Sequence, residues 1–232
     1  MDGTTPGNAK ELMLMFLYAP VGDSGSNVPV PNRSHLHKQL FHAAVDIPGI
    51  GTRFEGGRYG PFSGDLAAAE DEAVSEGTVK SSADGRGEIR LTEAGIKVAE
   101  ELWSRRKEIA GIILPSIKEH MNDMSYIELV STTYTSHPEI AENAEDLELY
   151  KKYRVEAAIS LFIRRKITVS RGSEIAGMYQ GDFTDMLYEN KIYAFARGKK
   201  NFLRCIQEFK DKKCDLANTI ENINRYECIP TA

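Results

Sequence analysis

Cysteine is scarce in this 232-residue chain: there are three, Cys205, Cys214 and Cys228, an odd number with no Cys-x-x-Cys spacing. That pattern excludes a disulfide scaffold and points to structural thiols in a reducing compartment. Long apolar runs are missing too, so no membrane span is expected. The opening MDGTTPGNAK has neither a charged n-region nor an apolar h-region, and no secretory signal is expected. There is no internal repeat and no low-complexity tract. No Ser/His/Asp or Cys/His set stands out, and no metal helix does either. His35, His37 and His42 share one predicted helix, yet no pair has the i,i+4 spacing of a zinc site. The glycine-rich GIGTRFEGGRYG lacks the Gly-Lys-Ser/Thr ending of a phosphate loop and reads as a plain loop. The expectation is a cytoplasmic protein with no catalytic residues, no metal and no cofactor.

What is present is an ordinary globular composition, 41% hydrophobic and 27% charged, with an uneven charge distribution. Residues 1–150 hold 13 Lys and Arg against 24 Asp and Glu, a net of −11. Residues 151–232 hold 16 against 10, a net of +6. Such a split suggests two modules with different partners. Either the basic half meets the phosphates of a nucleic acid, or the halves attract each other within or between chains.

Hydrophobic periodicity orders the elements. KELMLMFLYA forms a short helix, and PVGDSGSNVPVPNR a loop. Ser34 is placed to cap a second helix bearing Leu36, Leu40, Phe41 and Ala44 on one face. DIPGIGTRFEGGRYG reads as irregular. Pro61 and Ser63 open a third helix, with Leu66, Ala69, Ala73 and Val74 inward and Gly77 as its stop. TVKSSADGRGEIRL, with Asp-Gly at its centre, reads as a hairpin. Thr92 and Glu93 begin a long helix reaching Pro115 or beyond; its stripe, with Trp103, suits packing or a homodimer. His137-Pro138 marks a break, and a periodic helix follows around residues 147–162. The fold class expected is mainly α: a winged helix-turn-helix with a two-stranded β-hairpin wing over residues 1–136, and a helical helix-turn-helix module over 137–232.

FEGGRYGPFSGDL and SEGTVKSSADGRGEIRLTEAG resemble winged-helix proteins of the YwgA-like and Panacea type. The residues that carry the likeness are Tyr59, Gly60, Pro61, Phe62 and Ser63, then Leu91, Thr92 and Gly95. The resemblance spans about residues 10–135 and implies a regulator or neutraliser, with several such proteins found in toxin–antitoxin or phage settings. VEAAISLFIRRKITVSRGSEIAGMYQGDFTDMLYENKI resembles a small prokaryotic family of antitoxin-like helix-turn-helix proteins. Its outline is A-x-x-L-Y-x-x-G-K-I-S-x-x-x-A-A-E-L-A-G-L-S-x-x-E-F-x-x-L-L-x-x-x-G-I. Ala158, Leu161, Lys166, Ile167, Glu174, Ile175, Ala176, Gly177, Met178, Asp182, Phe183 and Ile192 fit it. Gly172-Ser173 and Tyr179-Gln180 depart from it.

The local chemistry agrees with a helix-turn-helix. Ser170 is placed to cap a short helix, Gly177 suits a left-handed end, and Phe183 and Leu187 lie one turn apart to pack on Ile175. Gln180 and Thr184 can hydrogen-bond base edges. Arg164, Arg165, Lys166, Arg171 and Lys191 can hold phosphates, as can Lys80, Arg86 and Arg90 on the wing. The third helix, by contrast, carries Asp65, Glu70, Asp71, Glu72 and Glu76 and no cation, which opposes its entry into a groove. The expected function is a non-catalytic, DNA-binding transcriptional regulator, dimeric, that contacts double-stranded DNA chiefly through its basic second half. The alternative is an antitoxin-like module that binds a protein partner through the acidic winged helix.

Overall fold

A computed structural model gives the fold. It describes residues 7–47, 52–82, 84–190 and 192; of Asp23 and residues 106–110 it describes the backbone alone. The molecule is mainly helical, with two small antiparallel sheets. It divides into two compact units. One runs to Asp123 and also takes Glu142–Ala144; the other holds Met124–Ala141 and continues from Glu145. The division falls upstream of residue 137, where the sequence reading begins its second module. The reason is local: Ser125 and Glu128 form a complete capping box that starts a helix at Tyr126, so α5 belongs with the helices C-terminal to it.

The first unit is built around α1 (Ala9–Tyr18). Leu12 through Leu17 are all buried, so this helix is apolar on every side and forms the centre of its core. α2 (Arg33–Asp46), α3 (Gly64–Ser75) and α4 (Glu93–Met121) surround it. Trp103 of α4 meets Tyr18 of α1 edge-on, with ring centroids 5.9 Å apart. Lys118, also on α4, is fully buried and donates from Nζ to the carbonyls of Leu17 (2.7 Å) and Ala19 (3.3 Å). It thereby closes the orphan carbonyl end of α1.

Ser63, Thr92 and Gly77 act as the sequence predicts. Ser63 and Thr92 cap α3 and α4, and Gly77 takes φ 72 just past α3. Ser34 does not cap α2. Asn32 accepts from the His35 N–H instead, and Ser34 in the first turn accepts from Lys38 Nζ. The segment read as irregular contains a hairpin, β1 (Glu55–Gly57) with β2 (Gly60–Phe62), in the register Gly57 to Gly60. Gly60 at φ 96 permits the tight turn through Arg58 and Tyr59. Buried side chains of α2 hold this hairpin: Lys38 Nζ donates to the Tyr59 carbonyl at 2.6 Å, and the His37 ring stacks on Phe62 with centroids 5.3 Å apart.

β3 (Val79–Lys80) pairs with β4 (Arg90–Leu91). Just ahead of β4, Ile89 forms a two-bond bridge with Val30, in the segment between α1 and α2. The hairpin is thus backed by a third extended segment. Gly95 explains the Leu-Thr-x-x-Gly spacing. A Cβ there would lie 1.9 Å from the Thr78 carbonyl oxygen, so only glycine lets the first turn of α4 rest against β3's approach.

The second unit comprises α5 (Tyr126–Ser136), α6 (Pro138–Ala141), α7 (Leu147–Ile163), α8 (Val169–Ala176) and α9 (Gln180–Glu189). Its core gathers Leu129, Val130, Ala157, Ala158, Leu161, Phe162, Ile175, Phe183 and Leu187. Asp146 is buried at the start of α7. Its carboxylate accepts from the hydroxyls of Tyr126 and Tyr134, the latter at 2.5 Å. Burial, then the adjacent carboxylate, pushes the Tyr134 hydroxyl far above the ordinary tyrosine range.

Candidate nucleic-acid interface

Three cations of the β3–β4 hairpin stand on the surface. Lys80 and Arg90 face each other across the β3–β4 pair, both exposed, while their neighbours Val79 and Leu91 point inward. Like charges directly opposite destabilise a strand pair, and no carboxylate forms an ion pair with either among the described residues. Arg86 is exposed at the tip, one residue after Gly85 at φ 67. Asp84 there serves the turn: it accepts from the Arg86 backbone N–H and the Ser82 hydroxyl, which holds its carboxyl below the usual range. Glu88 is also exposed, so this face bears three cations against Glu88 and the turn's Asp84.

The carboxylates of α3 are less available than their number implies. Glu70 is fully buried and accepts from Arg33 Nε at 2.9 Å and from the Ser81 hydroxyl at 2.7 Å. Glu72 and Glu76 both bind Lys10 of α1, at 3.0 and 2.6 Å. Arg33 Nη2 also reaches Asp71 Oδ1 at 3.5 Å. Spacing along α3 shows five carboxylates; the fold engages four of them inside the first unit.

In the second unit the same holds for the arginines. Arg164 donates from Nη1 to Glu128 Oε2 at 2.7 Å. Glu128 is itself buried and also accepts from Ser160 Oγ at 2.6 Å. The pair joins the end of α7 to the start of α5. Arg171 donates to Glu174 at 2.7 Å, to Ser136 Oγ at 2.5 Å and to the Thr132 carbonyl at 3.4 Å, closing the end of α5. Arg154, which the sequence did not single out, donates to the Ile175 and Glu174 carbonyls at the end of α8. Arg164 and Arg171 are therefore fastenings between helices. Their partners lie 36 and 35 positions away, beyond what spacing along one helix can show.

α8 and α9 are two short helices joined by a tight turn at Gly177 and Met178. Gly177 closes α8 at φ 66, and Arg154 occupies the space a Cβ would need. Gly172 is required for a different reason: a Cβ would lie 2.6 Å from the Phe183 ring. Phe183 in turn meets Phe162 edge-on. Ser170 does not cap α8; Thr168 does, accepting from the Arg171 N–H at 3.2 Å. Tyr179 begins α9 without a side-chain cap. Arg165 stands where the helix-turn-helix outline has glycine. It is exposed and takes φ 60, while the Lys166 N–H bonds the Leu161 carbonyl to finish α7. Lys166 is half-buried, and Lys191 lies outside the described residues.

Gln180 is exposed at the start of α9, and the Thr184 hydroxyl donates back to its carbonyl at 2.8 Å. With Phe183 and Leu187 inward, the 100° step places Asp182, Asp185, Tyr188 and Glu189 on the outward face, and Gln180 and Thr184 on its flank. Those carboxylates have no ion pair among the described residues. From Met124 to Ile192 the chain holds 8 Lys and Arg against 11 Asp and Glu, a net of −3; residues 193–232 hold 8 against 5. The cationic excess of the second half thus belongs to its last forty residues by sequence, and those lie outside the described residues. Among the described residues no group of three or more His, Cys, Asp or Glu is arranged to hold a metal, and no helix is long and apolar enough to cross a membrane.

The profile of an uncharacterised protein family (UPF0175) matches residues 136–210. The matched part begins at the last residue of α5, includes α6 through α9, and leaves residues 1–135 outside it. The likeness of the first unit to YwgA-like and Panacea proteins thus rests on the motif residues alone. No curated protein matches the chain. No solved structure matches it either.

Proposed function

We propose that this protein is a non-catalytic, DNA-binding regulator whose first unit is a winged helix and whose phosphate contacts come from the wing, through Lys80, Arg86 and Arg90. One observation carries this reading: Lys80 and Arg90 oppose each other on exposed strand positions with no carboxylate of the described residues paired to them. A like-charge pair that lowers stability calls for an anionic partner. The order of helices, the hairpin and the Val30–Ile89 bridge supports the winged-helix reading. Arg165 adds a second cationic point, held exposed in a left-handed backbone that an arginine adopts at a cost.

This moves the expected contact from the second half of the chain to the first. The outward face of α9 is acidic and would repel phosphates, so α9 does not read the groove in this proposal. The acidic α3 gives little support to a basic protein partner, because Glu70, Glu72 and Glu76 already have cations. A homodimer through α4 belongs to the same proposal; Ile112 on that helix is 75% exposed.

The test is fluorescence anisotropy with duplex DNA over a salt series. Wild type should bind, with affinity falling steeply as salt rises. Replacing Lys80, Arg86 and Arg90 by Ala should flatten the salt dependence by roughly 0.9 in log–log slope for each phosphate no longer neutralised. A triple variant that binds with unchanged affinity and slope overturns the wing contact. Absence of any binding at low salt overturns the DNA function.

A further inference from the structure

We propose that the exposed face of α9 is a docking surface for residues 197–213 of the same chain. The face is unusual for a ten-residue helix. Asp182, Asp185 and Glu189 lie outward with no cation of the described chain paired to them. Tyr179 and Tyr188 flank them at 78% and 56% exposure, the most exposed aromatic side chains among the described residues of this unit. Three unmatched carboxylates bordered by two exposed rings form a surface that fits a cationic segment with apolar residues: ammonium and guanidinium groups meet the carboxylates, and the rings accept both cations and apolar side chains.

That segment is in the sequence. Residues 197–213 hold Arg197, Lys199, Lys200, Arg204, Lys210, Lys212 and Lys213 against only Glu208 and Asp211. Phe202, Ile206 and Phe209 recur among them at the spacing of one helical face. It lies shortly after α9 in the chain. Ile192 is buried with its N–H on the Leu187 carbonyl, so the chain leaves from the foot of the helix that bears this face. α9 is about 15 Å long, and a connection through residues 190–196 is ample for the chain to return along it. The family match runs through residue 210 and so includes most of this segment along with α8 and α9.

Limited chymotrypsin digestion of the full chain, without DNA, tests the proposal separately from the DNA-binding reading. Chymotrypsin cuts after Phe202 and Phe209, sites that charge changes leave intact. In wild type, cutting there should be about tenfold slower than in a variant carrying Asp182→Lys, Asp185→Lys and Glu189→Lys, because cleavage follows the released population. The isosteric set D182N, D185N and E189Q should move the rate the same way with less risk to the fold. Lys199→Glu, Lys200→Glu and Arg204→Glu should also release the segment, and joining these changes to the α9 lysines should restore protection. Equal rates in wild type and both α9 sets, or no rescue in the combined variant, overturn the proposal. So does protection that grows with protein concentration, since that places the segment on a second copy.

Discussion

In the first unit, carboxylates of α3 are matched by Lys10 and Arg33, and the wing's cations have no ion pair among the described residues. In the second, Arg154, Arg164 and Arg171 are matched by helix ends and by Glu128, and the carboxylates of α9 are left over. The β3–β4 hairpin and α9 therefore each show solvent the sign opposite to the net charge of the sequence half that holds them. Net charge counts every ionisable residue equally. A binding surface is made only from those that folding does not engage.

The largest test of this contrast sets two arginines against each other. Arg164→Ala leaves Glu128 buried without its cation and should destabilise the second unit by about 3 kcal/mol in urea titration. An equal loss from Arg86→Ala, exposed at the tip of the β3–β4 hairpin, would erase the distinction between a fastening and an exposed cation.

Next in size is a pH effect confined to the first unit. Burial lowers Lys118 to about 7 from its usual 10.5. Between those values the unfolded chain binds a proton that the folded chain does not, so stability should rise with pH across that window. Lys118→Met should flatten the slope, as followed by denaturation midpoints at a series of pH values. His37 acts in the same direction at acid pH. Its ring is held neutral down to about 3 by burial and then by Lys38 and Arg33, against a usual value of 6.5. Stability should therefore fall as pH drops below 6.5 toward 3.

Gly95→Ala should cost about 2 kcal/mol, because the Thr78 backbone must shift to admit a methyl group. Thermal unfolding measures it, and an unchanged midpoint would show that β3 yields freely. The smallest effect has the opposite sign: Arg165→Gly should stabilise the second unit by about 1 kcal/mol by relieving the left-handed strain. If it also flattens the salt dependence of DNA binding, Arg165 joins the wing as a phosphate contact.

Much of the local architecture was legible in the sequence. Ser63, Thr92, Gly77, Gly177 and the His137-Pro138 break do what their chemistry predicts, because caps and stops depend on a few adjacent atoms. The two misplaced caps, Asn32 for Ser34 and Thr168 for Ser170, lie two positions from their expected places. There several hydroxyl and amide residues compete for one helix start. The β1–β2 hairpin was hidden because Glu-Gly-Gly-Arg-Tyr-Gly-Pro lacks β-branched residues, and α2 side chains hold it in place. The candidate phosphate contacts were harder to read. Arg86 and Arg164 look alike in sequence, and only a partner 36 positions away makes one a strut.

α1 carries a consequence for how the polypeptide is made. It leaves the ribosome before α4, a part of its cover that is completed only at Met121. Until then the apolar run from Leu12 to Leu17 has no full shelter. The growing chain is therefore a natural client for chaperones that hold greasy segments, and a shortened product ending before α4 should clump rather than fold.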